Sequence, residues 1–113
     1  MSSITTHVLD LARGKPAVGM KVVLDIAAGG QWKFLGQGET DADGRLRTLL
    51  SPTYVLSAGV YRLTFDVGTY FRAAGLECFY PTIAVAFEVR EPTEHHHVPL
   101  LVSPFGYSTY RGS

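Results

Sequence analysis

An all-β sandwich with one short helix is the fold class this sequence predicts, and three observations predict it. Apolar and polar residues alternate with period two in several segments, which turns one face of each segment towards a core. Turn-forming residues separate those segments at short intervals. A helical stripe occurs in one stretch only, at about residues 69–77. Eight candidate strands in 113 residues give a sandwich, and the length accommodates a single domain over residues 1–113.

The first strand is expected from Ile4 to Leu11, with Ile4, Thr6 and Val8 inward and Thr5, His7 and Leu9 outward. Arg13-Gly14-Lys15-Pro16 then turns the chain. Met20, Val22, Leu24 and Ile26 alternate with Lys21, Val23 and Asp25 in the second strand, and Ala28-Gly29-Gly30 leads to a third at Gln31 to Gly36. The turn Asp41-Ala42-Asp43-Gly44 precedes a strand at Arg45 to Leu50. After Ser57-Ala58-Gly59 comes the clearest alternation, in which Tyr61, Leu63, Phe65 and Val67 oppose Val60, Arg62, Thr64 and Asp66. Tyr70, Phe71, Ala73, Ala74 and Leu76 make the helical stripe, ahead of the backbone restriction at Pro81. Ile83, Val85, Phe87 and Val89 mark the next strand, His95 to Val102 the penultimate one, and Ser108 to Arg111 the last.

Composition narrows the function classes. Hydrophobic residues make up 46% and charged residues 18%, so the chain can bury a core. Ten Lys plus Arg balance ten Asp plus Glu, and no basic run is present, so nucleic acid and anionic membrane surfaces are not expected partners. No apolar stretch is long enough to span a bilayer, and Met1-Ser2-Ser3-Ile4 lacks the features of a signal peptide, so a cytoplasmic location is expected. Cys78 is the one cysteine, which rules out an internal disulfide; its apolar setting suits a buried, inert thiol.

The densest polar cluster is Glu94-His95-His96-His97, at the start of a strand. Pleating sends His95, His97, Pro99 and Leu101 to one face and His96, Val98, Leu100 and Val102 to the other, and the second set is the better core face. His97 and His7 then both point outward among Leu9, Pro99 and Leu101. A histidine on a strand is ordinarily a solvated or hydrogen-bonded structural residue. Histidines on an outward face this apolar instead suggest a subunit interface or a ligand pocket. His95 and His97 could share a zinc ion with Glu94 or His7, but no second set of ligands is clustered, and no metal or cofactor is expected. No Gly-x-Ser-x-Gly elbow is present, and Gly36-Gln37-Gly38 leads into no phosphate-binding loop.

The C-terminal Tyr107-Ser108-Thr109-Tyr110-Arg111-Gly112-Ser113, after His95-His96-His97-Val98-Pro99-Leu100-Leu101, carries a specific likeness. So do Thr6-His7-Val8-Leu9-Asp10, Gly14-Lys15-Pro16-Ala17, Thr40-Asp41-Ala42-Asp43-Gly44-Arg45, Tyr70-Phe71 and Phe79-Tyr80-Pro81. On these residues the chain resembles the transthyretin-related family of 5-hydroxyisourate hydrolases, enzymes of urate breakdown. The resemblance covers essentially the whole chain. It implies a transthyretin-like sandwich of two four-stranded antiparallel sheets, assembled as a homotetramer, a dimer of dimers, whose channel holds the active sites.

The same resemblance implies catalytic roles for His7, Arg45, His97 and Ser113, with Tyr110, Arg111 and Gly112 completing the substrate site. The middle histidine, His96, stands where the family often has tyrosine. The implied substrate is the small molecule 5-hydroxyisourate, opened by water attack on its cyclic amide, in purine catabolism. A neutral histidine has a pKa near 6.5 and suits a general base; His97 is the expected one, with His7 holding water or passing a proton and Arg45 stabilising the oxyanion. A non-enzymatic small-ligand carrier of transthyretin type is the alternative. Transthyretin itself lacks this histidine set and terminal tetrapeptide.

Overall fold

The computed structural model describes residues 3–113. Met1 and Ser2, half of the segment read as lacking a leader, lie outside them. Nine strands and one helix occur among the described residues: β1 (Ile4–Asp10), β2 (Lys15–Pro16), β3 (Lys21–Ala28), β4 (Gln31–Glu39), β5 (Arg45–Leu46), β6 (Gly59–Phe65), α1 (Val67–Ala73), β7 (Ile83–Val89), β8 (His96–Ser103) and β9 (Gly106–Thr109). One sheet runs β2-β1-β8-β9, with β5 also paired to β1, and the other runs β4-β3-β6-β7. The two sheets and one short helix make the expected all-β sandwich.

Period-two alternation places the core. Ile4, Val8, Val22, Leu24, Tyr61, Leu63, Phe65, Leu100 and Val102 are all fully buried, each from the face that the sequence pattern assigns inward. Burying one such side chain contributes about 1.5–3 kcal/mol, and a one-residue slip would turn a whole strand's set out to water. Thr6 is inward too, and its hydroxyl donates to the Val98 carbonyl at 2.6 Å, so the buried polar group is satisfied. His96 is inward and only 4% exposed, as its place in the alternation requires.

The first sheet has five strands rather than the expected four, because the two-residue β2 and β5 both pair with β1, and the last strand is Gly106–Thr109 rather than Ser108 to Arg111. Three further details depart from the sequence expectation. First, β1 pairs with β8 in parallel, from Ile4 opposite His96 to Asp10 opposite Val102. These strands lie at opposite ends of the chain, so no hairpin forces them antiparallel. Second, the segment expected as a strand to Leu50 stops at Leu46, because Leu49 and Leu50 are both buried and consecutive residues of a strand cannot share one face. Third, the helix spans Val67–Ala73. The Asp66 carboxylate accepts from the Thr69 N–H and caps its start, while Gly75, at φ 77°, ends it in a conformation other side chains adopt only at a cost. The apolar stripe alone gave neither boundary.

Candidate active site

Parallel pairing of β1 and β8 sets the geometry of the outward face. Thr5 stands opposite His97, and His7 stands opposite Pro99 on one side and Arg45 of β5 on the other. His7 and His97 are therefore offset by two residues, about 6.6 Å along the sheet, rather than directly paired. Opposed and i, i+2 positions share a face, so Thr5, His7, Arg45 and His97 all project from the side away from the core.

His97 is half-buried, and its Nδ1 lies 2.8 Å from Thr5 Oγ1. The same Oγ1 is 2.9 Å from Nε2 of the exposed His95. Burial pushes the His97 pKa below the ordinary value, and the charges of Arg45 and Arg47, with those of His95 and His7 when these are protonated, push the same way. The neutral imidazole is thus the favoured form, and the bond at Nδ1 leaves Nε2 as the nitrogen for water or substrate. His96, across the strand, is also pushed down by burial and then by Arg111; its buried Nδ1 has no hydrogen-bond partner among the described residues.

Arg45 owes its position to the preceding turn. The Asp41 carboxylate accepts from the Asp43 N–H at 2.9 Å and the Arg45 N–H at 3.0 Å, and those bonds hold its pKa below the usual range. The turn also holds His7, whose Nε2 lies 2.8 Å from the Asp43 carbonyl. Since a carbonyl only accepts, Nε2 carries the proton and a neutral His7 offers Nδ1 as an acceptor.

The C-terminal segment folds back over this face. Thr109 Oγ1 donates to the Pro99 carbonyl at 2.6 Å, Gly112 N–H donates to the His97 carbonyl at 2.8 Å, and Arg111 Nη2 donates to Glu94 Oε1 at 3.2 Å. Pro99 is buried as a result, so part of the apolar outward face is covered by the protein's own tail. The fold brings Ser113 into a pocket of about 220 Å³ lined by Thr5, Thr6, Arg45, Arg47, His95 and His97.

Arg45, His97 and Ser113 thus meet in one pocket, with Gly112 against His97. His7 sits beside Arg45 without lining that pocket, while Tyr110 and Arg111 line an adjacent hollow with Val85, Phe87 and His96. Thr5, Arg47 and His95 are pocket residues outside the sequence-derived set. The i, i+2 relation of Arg47 to Arg45, and of Thr5 to His7, was the signal that could have found them. Among the described residues, no group of three or more His, Cys, Asp or Glu side chains is placed to hold a metal ion. Cys78 is half-buried rather than buried, and its thiol donates to the Tyr80 carbonyl at 3.2 Å.

Chemically, the pocket combines an imidazole that can accept a proton, two guanidinium groups for developing negative charge, and Ser113. Comparison with known proteins narrows what this set serves. The description of the HIUase/Transthyretin family matches residues 4–112. The 5-hydroxyisourate hydrolase of Caulobacter vibrioides is 47% identical over 117 aligned positions, covering 100% of each chain. The solved 5-hydroxyisourate hydrolase of Klebsiella pneumoniae superposes with a TM-score of 0.84 at 36% identity, over 97% of this chain and 98% of that one. Sea bream transthyretin, solved in complex with thyroxine, gives a TM-score of 0.89 at 31% identity, over 97% and 94%. Backbone likeness alone does not separate hydrolase from carrier; the pocket's side chains have to.

Proposed function

Because the chain belongs to the HIUase/Transthyretin family, we propose that it hydrolyses 5-hydroxyisourate in urate degradation, with His97 as general base and Arg45 as oxyanion stabiliser. The observation that carries this reading is the pocket itself. Its lining is two arginines, two histidines, two threonines and Ser113, with no apolar side chain. A carrier of an apolar ligand needs the reverse, so the carrier alternative loses support.

The reaction adds water across a ring C–N bond. Neutral His97 takes a proton from water at Nε2 as the oxygen attacks the ring carbonyl, and the carbonyl oxygen becomes an oxyanion beside the fixed fork of Arg45. The tetrahedral intermediate collapses, the C–N bond breaks, and the proton held by His97 passes to the departing ring nitrogen. The product is 2-oxo-4-hydroxy-4-carboxy-5-ureidoimidazoline. His7, with its Nε2 proton committed to Asp43, accepts from the attacking water at Nδ1. The Ser113 hydroxyl and carboxylate orient substrate, Arg111 pins the tail through Glu94, and Gly112 allows its close approach. Tyr110 closes the substrate site from the adjacent hollow. No metal or cofactor takes part.

The working assembly is a homotetramer, a dimer of dimers, and its location is cytoplasmic. Among the described residues no helix is long and apolar enough to cross a membrane. The test of function is direct: purified protein is added to freshly generated 5-hydroxyisourate and the ultraviolet decay is followed. Acceleration that depends on His97 supports the reading. Decay at the spontaneous rate overturns it.

A further inference from the structure

Thr5 Oγ1 lies 2.8 Å from His97 Nδ1 and 2.9 Å from His95 Nε2. A hydroxyl has one proton to donate, and among the described residues Oγ1 has no acceptor other than these two nitrogens, so satisfying that proton gives the rings opposite parts: one nitrogen receives the Oγ1 proton and the other donates to Oγ1. Two arrangements satisfy all three groups. In one, His97 carries its proton on Nδ1 and donates to Thr5, which donates to His95 Nε2. In the other, His95 donates from Nε2 and Thr5 donates to His97 Nδ1, which forces the His97 proton onto Nε2. Only the first leaves His97 Nε2 with a free lone pair.

We propose that Thr5 and His95 are positioning residues that select the working tautomer of His97, with neutral His95 as the acceptor that ends the chain. The inference rests on the reading of His97 as the base. Neither residue touches the reacting atoms, and their own protons do not move. The transferred proton goes from water to His97 Nε2 and on to the ring nitrogen. His95 is well placed as the terminus because it is exposed and its ring lies nearly parallel to that of His97, with 6.4 Å between centroids.

The charged groups around the pair are Arg45 of β5, Arg47 just beyond it, His7 of β1, the terminal carboxylate of Ser113, and the Arg111–Glu94 pair at the His95 backbone. Burial and the arginine charges push the His97 pKa down, which favours the neutral ring that both arrangements share.

The test reads the tautomer directly, by long-range proton–nitrogen NMR on the labelled protein at neutral pH, beside steady-state kinetics. In the wild type, His97 is expected to be protonated at Nδ1 and bare at Nε2. Thr5→Val and His95→Phe should both move the proton to Nε2, and Thr5→Ser should restore Nδ1. In the first two, kcat should fall at least about tenfold with KM within about threefold, and Thr5→Ser should recover most of the rate. A wild-type proton on Nε2, or a tautomer unmoved in both Thr5→Val and His95→Phe, overturns the proposal. So does a tautomer that shifts with no loss of kcat. If the wild type does not hydrolyse 5-hydroxyisourate at all, the functional reading fails, while the NMR result still decides the tautomer. His95 is exposed, so its variant reports even if Thr5→Val does not fold.

Discussion

The N–H of Gly112 donates to the carbonyl of His97 at 2.8 Å, and a β-carbon at position 112 would stand 2.5 Å from Cδ2 of the His97 ring. Contact at that distance forces the ring or the tail to move. Pro99 Cγ, at 3.2 Å, blocks escape on the other side. Gly112→Ala is therefore expected to lower kcat at least about tenfold, since a displacement of about 1 Å in a reacting group can cost more than that. Thermal melting should show the domain folded. An alanine variant with the wild-type rate would mean that this close approach does not position His97.

Sandwich, strand faces and the outward direction of His7 and His97 were legible in the sequence because period-two burial is a local signal. Ile4, Val8, Leu100 and Val102 each carry it, and each is fully buried. The parallel register of β1 and β8 was not legible. It joins segments some ninety residues apart, and nothing in either strand's alternation distinguishes parallel from antiparallel pairing. That register decides which side chain faces His97, so Thr5 was missed although it sits in the same Thr5-Thr6-His7 run that identified β1. Leu49 and Leu50 misled in the opposite way: apolar residues that fill the core from a bend look like a strand until their joint burial is seen.

Arg47 gives a test of the pocket's field. His97 is held below the ordinary histidine value of 6.5 by burial and by neighbouring positive charge, Arg47 included. With His97 as the proposed base, the working form is the neutral one, so a lowered pKa keeps the protein active to lower pH, and the acid limb of kcat/KM should fall below about 6.5. Arg47→Gln removes one repelling charge, which raises the His97 pKa and should move that limb towards 6.5. A pH–rate series on both proteins checks this. A limb that stays put, or moves to lower pH, would separate Arg47 from the base.

Stability is expected to hinge on Tyr70. Its hydroxyl donates to Asp10 Oδ2 at 2.8 Å, and Arg13 donates to both partners, tying the end of β1 to α1. Burial pushes the Asp10 carboxyl up, but the bonds from Tyr70 and Arg13 outweigh it and hold the pKa below the usual value. Tyr70→Phe removes one donor from a buried carboxylate and should cost about 1–3 kcal/mol in urea unfolding at neutral pH. A carboxyl with a lowered folded pKa contributes stability above its unfolded value, and that stability is lost as pH falls through the folded one. The difference between wild type and Tyr70→Phe should therefore narrow in acid. A gap that widens there would contradict the assignment.

The tetramer is tested by size. Leu9 and Leu101 remain half-buried on the outward face, and Tyr110 is 59% exposed, so apolar surface is left for neighbours. Light scattering at micromolar concentration should give four copies. A fully active monomer would remove both the channel and this account of the outward residues.

The terminal residues provide the sharpest test, because a chain end is usually frayed and dispensable. Here four successive contacts hold it: β9 pairs with β8, Thr109 bonds Pro99, Arg111 bonds Glu94, and Gly112 bonds His97. Ser113 then lines the pocket beside Arg45 and His97. Deleting Gly112 and Ser113 removes the hydroxyl and moves the carboxylate. Adding two glycines after Ser113 keeps the Gly112 contact and the hydroxyl but carries the charge elsewhere. Both changes are expected to lower kcat/KM at least about tenfold, or about 1.4 kcal/mol of transition-state stabilisation, without changing the melting temperature much. Comparing the two separates the hydroxyl from the carboxylate. If the extended protein hydrolyses 5-hydroxyisourate at the unmodified rate, the terminal charge has no part in the site, and the tail acts through the Gly112 contact and the Ser113 hydroxyl alone.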